Sequence, residues 1–109
     1  MLRIYSVILD LLERLVKLNA QIARHDRDLA KQLKRSSCSV ALNCAEGMYA
    51  KGGSRTAAYG VALREMRESF AALEIAVRLH YISPLEPGLV DQCQKIIGTL
   101  VRLAFPARR

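Results

Sequence analysis

The stretch LRIYSVILDLLERLVKLNAQIAR, residues 2–24, decides the fold. Within it Ile4, Ile8, Leu11, Leu15, Leu18 and Ile22 recur at alternating four- and three-residue steps, which aligns them on one face of an α-helix. Tyr5, Leu9, Leu12, Val16, Ala20 and Ala23 keep the same period on the adjoining face. The apolar arc therefore takes roughly half the helix circumference. One bundle core needs less than that, and the surplus predicts self-association.

Three further helical segments follow, separated by short punctuation. The second opens at Asp26–Asp28, whose carboxylates suit a helix N-terminus, and runs to about Lys51 before the breaker Gly52-Gly53. Leu29, Leu33, Val40, Cys44 and Met48 form its core line, flanked by the small residues Ala30, Ala41 and Ala45, which allow helices to approach closely. The third runs from Ser54, a candidate N-cap, to Tyr81, with Tyr59, Leu63, Met66, Phe70, Leu73 and Val77 as its stripe. Val61, Ala72, Ile75 and Leu79 fall outside that stripe and predict a second apolar surface, with Val61, Ile75 and Leu79 as candidate oligomer-interface residues. Ser83-Pro84-Leu85-Glu86 then reads as N-cap, Pro at the first helical position and capping acid. Val90, Cys93, Ile97, Leu100, Val101 and Ala104 line the last helix until Pro106 and the basic pair Arg108-Arg109. Four helices on short connections predict an all-α, antiparallel up-down-up-down four-helix bundle, and 109 residues suit a single domain spanning 1–109.

Composition narrows the function. Hydrophobic residues make up 51% and charged residues 25%, so the chain has ample material for a core. Seventeen Lys and Arg against ten Asp and Glu leave a net charge of +7, which favours polyanionic partners. Cys38, Cys44 and Cys93 cannot all pair within one chain and show no metal-ligand spacing, which fits free thiols in a reducing cytoplasm. Asp10, Glu13 and Arg14 interrupt the N-terminal apolar run, so neither a signal peptide nor a membrane span is expected.

The chemistry-bearing residue types are scattered. A carboxylate di-iron bundle needs paired Glu-x-x-His motifs, and neither His25 nor His80 has a Glu three residues before it. Met48 and Met66 sit at core spacing and read as packing instead of haem ligation. The run Ser36-Ser37-Cys38-Ser39 lacks a nucleophile elbow, and Gly52-Gly53 is a helix break and not a phosphate loop. No catalytic residue, metal site or cofactor is expected.

Two polar features carry more. Arg24, Arg27, Lys31, Lys34 and Arg35 project opposite the second helix's core line and form a candidate nucleic-acid-binding stripe. Ser36, Ser39, Asn43 and Glu46 run along one flank of that line, with Glu68 on the third helix. Polar groups beside packed surfaces need partners, which predicts a structural hydrogen-bond network within the subunit or across subunits.

Across Gln32–Gly47, QLKRSSCSVALNCAEG, the chain resembles the bacterial intervening-sequence family of four-helix-bundle proteins. These proteins are named for reading frames inside insertions in large-subunit ribosomal RNA genes. Gln32, Arg35, Ser39, Asn43, Ala45, Glu46 and Gly47 match the family's pattern there, and Ala62, Glu68, Leu79, Tyr81 and Ile82 match a second patch. The chain departs from it where Arg64-Glu65 replaces Gly-Ser and His80 replaces Gly. The resemblance implies a homo-oligomer, a ring of five, and no catalysis. It also extends to accessory proteins of diversity-generating retroelements, basic barrels that bind nucleic acid and a partner reverse transcriptase. Ser39, Asn43, Glu46, Gly47 and Glu68 are accordingly expected to be structural. The sequence thus predicts a bundle offering a basic surface to RNA or an RNA-handling partner, with a protein-only scaffold for an acidic partner as the alternative.

Overall fold

A computed structural model describes residues 2–107; Arg108 and Arg109 lie outside the described residues. Among the described residues there are four helices: α1 (Arg3–His25), α2 (Arg27–Tyr49), α3 (Gly52–Arg78) and α4 (Pro87–Ala104). Each packs on its neighbours in sequence, and α4 closes back on α1. Contacts run in opposite directions along each pair. Arg35 and Ser36 meet Glu65 and Ser69, while Gly47 meets Tyr59, so α2 and α3 are antiparallel. The up-down-up-down bundle expected from the apolar period is the architecture observed.

The corners explain the helix limits. Asp26 alone joins α1 to α2: its backbone N–H donates to the Ile22 carbonyl, and its Oδ1 accepts from the Leu29 N–H at 3.0 Å. One residue thus closes one helix and caps the next. Arg24 and His25 in the last turn of α1 and Asp28 in the first turn of α2 complement the two helix dipoles. Between α2 and α3 the chain turns at Ala50 and Lys51, and α3 begins at Gly52, two residues ahead of the expected Ser54 cap. Gly52 has φ +56°, where an L side chain would be strained. Arg55 Nε donates to the Ala50 carbonyl at 2.9 Å across this corner.

Helix α3 stops three residues before the expected Tyr81. The Tyr81 N–H donates to the Ala76 carbonyl and the His80 N–H to that of Val77, the paired bonds of a Schellman C-cap. His80 takes the left-handed position at φ 62°, where glycine is usual, at a cost of roughly 1–2 kcal/mol for an L-residue. Helix α4 starts at Pro87, not at Pro84, with Glu86 ahead of it and the Leu89 and Val90 N–H groups donating to the Glu86 carbonyl.

The core sits along the bundle axis. Ile8, Leu11 and Ile22 of α1, Leu33, Val40 and Cys44 of α2, Met66 and Leu73 of α3 and Cys93, Ile96 and Leu100 of α4 are nearly inaccessible. Each buried Leu or Ile contributes about 1.5–3 kcal/mol relative to exposure. On α4 the buried row is Leu89, Cys93, Ile96, Leu100 and Ala104, whereas the expected Val90, Ile97 and Val101 are half-buried. On α3, Ala72 is buried instead of facing outward, because this helix packs against both α2 and α4 and buries a wider arc. Leu18, Met48, Phe70 and Val77 are half-buried at the margins.

Candidate nucleic-acid interface

Arg27, Lys31 and Lys34 follow one another at steps of four and three along α2, so they share one face. All three are exposed, and they border a shallow groove between α1 and α2 whose other wall includes Asn19 and Ala23. Arg24 is exposed in the last turn of α1, across the Asp26 corner from Arg27. Among the described residues none of these four cations is ion-paired.

The groove continues past Lys34 into an apolar section floored by Leu15 and Leu33 and edged by Leu12, Val16 and Cys38. Asn19 sits where the two sections join. Its Nδ2 donates to the Ala30 carbonyl at 3.1 Å, while its buried Oδ1 has no hydrogen-bond partner among the described residues. No feature of the sequence pattern had marked Asn19.

Arg35 stands apart from the other four. It lies one position past Lys34, roughly 100° further round the helix by α-helical geometry, and faces α3. Its Nη1 donates to Glu65 at 2.8 Å and its Nη2 to Glu68 at 2.7 and 2.9 Å. Hydrogen bonds to Glu68 and then Glu65 reinforce the charged form of Arg35, and the guanidinium holds the Glu68 carboxyl below its ordinary value. Glu65 is buried. The long Glu65 side chain is thus held by an ion pair across the α2–α3 interface.

A hydroxyl pair lies beside it. The Ser36 and Ser69 hydroxyls, both fully buried, meet at 2.7 Å, with the Leu33 carbonyl 3.3 Å from Ser36 and the Glu65 carbonyl 2.9 Å from Ser69 as further acceptors. Ser37 bonds back to the Lys34 carbonyl. The serine run thus serves helix packing. Further along α2, Asn43 donates to the Ser39 carbonyl and hydroxyl at 2.9 and 3.0 Å, a bond local to the helix. Glu46 is exposed and makes no side-chain bond among the described residues. Gly47 is buried against the ring of Tyr59, where a Cβ would fall 2.6 Å from Cε1.

Burial pushes the Cys44 and Cys93 thiols up to about 11, so both stay protonated and inert at neutral pH. Cys38 is exposed. No group of three metal-ligating side chains forms among the described residues, and no helix among them is long and apolar enough to cross a membrane. Val61 is half-buried, while Ile75 and Leu79 are exposed at 47% and 53%.

The model of the 23S rRNA-intervening sequence protein family matches residues 1–102. The chain belongs to this family. A structure with the same fold is that of a protein of unknown function from the S23 ribosomal protein family of Bacteroides thetaiotaomicron. Its TM-score is 0.82 at 22% identity, with 93% of this chain and 97% of that chain covered. At that identity the likeness shows the fold. No curated protein matches the chain. Of the intervening-sequence motif residues, Arg35 and Gly47 face α3 and Ser39 and Asn43 bond within α2.

Proposed function

We propose that this chain is a noncatalytic, self-associating bundle that binds RNA through the α1–α2 groove. The observation that carries the reading is the row Arg27, Lys31 and Lys34 along that groove, exposed and without carboxylate partners among the described residues. An ion-paired cation has little left to offer a phosphate, so Arg35 leaves the phosphate-binding set in this reading and Arg24 joins the row from the end of α1. The family's name supports an RNA-related role, and a net charge of +7 supports a polyanion. A ring of several copies, five by resemblance, repeats the row on every subunit and multiplies weak phosphate contacts by avidity.

The test is RNA affinity measured against salt. The logarithm of affinity should fall linearly with the logarithm of salt, and Lys31→Glu with Lys34→Glu should lower the slope by about 2, since each phosphate contact contributes ~0.9. All RNA sequences should weaken alike, because phosphate contacts carry no sequence information. Binding absent at low salt overturns the reading in favour of a scaffold for an acidic protein.

A further inference from the structure

The end of the bundle bearing the Asp26 corner carries a second feature. His25, the last residue of α1, stacks on Tyr81 with ring centroids 5.1 Å apart and planes 6° from parallel. Tyr81 also borders an open cleft of about 620 Å³, whose polar rim comes from Gln21, Arg78, His80 and Ser83. His25 is not part of the cleft wall. Tyr81 thus takes part in both features, its ring stacked on the imidazole and the residue lining the cleft.

The wall is held from two directions. The Tyr81 N–H is fixed to the Ala76 carbonyl in the Schellman cap, and the half-buried side chain packs against the core. An aromatic surface ordered before a ligand arrives loses little entropy on binding. Arg78 and His80 are exposed at the rim, and Arg78 is not ion-paired among the described residues. His80 occupies its strained left-handed position at this rim, and such strain concentrates at functional sites. An aromatic residue in the lining, with hydrogen-bonding groups and an unpaired guanidinium at the rim, suits a planar heterocycle attached to a phosphate.

We propose that this cleft seats an unpaired nucleobase of single-stranded RNA against Tyr81, with the adjoining phosphate toward Arg78. The inference rests on the RNA-binding reading and adds strandedness to it. The groove cations grip any phosphate backbone, whereas a stacking wall accepts a base only after it has left its duplex.

A short single-stranded RNA carrying 2-aminopurine tests it, read by anisotropy for total binding and by fluorescence quenching for stacking. Wild type should quench the probe and prefer it over the same sequence in duplex. Tyr81→Leu should abolish quenching and cost about tenfold in single-strand affinity, with duplex binding unchanged. Tyr81→Phe, which keeps the ring and its stack, should retain both. Arg78→Gln, which leaves the aromatic pair untouched, should weaken the single strand and spare the duplex, so the test holds even if Tyr81→Leu folds poorly. Salt-dependent binding without quenching, or equal affinity for single strand and duplex, overturns the cleft alone and leaves the groove standing. Absence of any RNA binding at low salt overturns both.

Discussion

A methyl group added at position 47 would sit 2.6 Å from Cε1 and 2.8 Å from Cδ1 and Cζ of Tyr59, a ring that is itself buried. Helix propensity alone favours alanine over glycine there by up to about 1 kcal/mol. Overpacking a filled interface costs about 1–3 kcal/mol, and a rigid ring held between two helices cannot swing aside as a flexible chain end would. The clash should win. Gly47→Ala is expected to lower stability by about 1–2 kcal/mol, measured by denaturant midpoint; a gain in stability would show that α2 and α3 can separate freely at this level. The same packing explains the tyrosine's chemistry, since burial raises the Tyr59 hydroxyl above its ordinary value.

Between α2 and α3 the ties are unequal in kind. Removing Arg35 strands the carboxylate of Glu65 in a buried position, whereas removing Glu65 leaves an exposed guanidinium that still holds Glu68. Arg35→Gln should therefore lower the melting temperature more than Glu65→Gln, because an unpaired buried charge costs more than a lost exposed bond. Glu68 adds a pH dependence. Its carboxyl lies below the ordinary value in the folded protein, so its contribution is complete above the unfolded value of about 4.3 and is lost as pH falls through the folded one. Melting temperature should drop below about pH 4, and Glu68→Gln should make the drop shallower by a small amount, since the group is partly exposed. These ties also show what could be read in advance. The α1 row and the Arg27, Lys31, Lys34 spacing were legible because both depend on helical period alone. Arg35 looked like the next cation in the row because its partners lie thirty residues on. The start of α4 was misplaced because Pro84 and Pro87 both suit a first helical turn, and the end of α3 because a histidine in the left-handed region leaves no local mark.

Several large apolar side chains stay outside the core: Leu9 and Val16 on α1, Leu42 and Tyr49 on α2, Ile75 on α3 and Leu79 at its C-cap. The α1 and α3 members were anticipated by surplus apolar periodicity, while Leu42 and Tyr49 went unnoticed as isolated positions. Light scattering should find a particle several times 12.2 kDa. Ile75→Glu should lower the association constant a hundredfold or more, as a lone charge in an apolar contact costs several kcal/mol by typical burial penalties. A wild-type monomer at micromolar concentration would count against self-association. The antiparallel arrangement has one more outcome. With an even number of helices, α1 begins and α4 ends toward the Ala50–Lys51 end of the bundle, opposite the His25–Tyr81 tip. A fused domain, an affinity handle or a surface tether attached at either exit hangs from the same pole. The opposite pole faces outward, unobstructed, whichever exit is used.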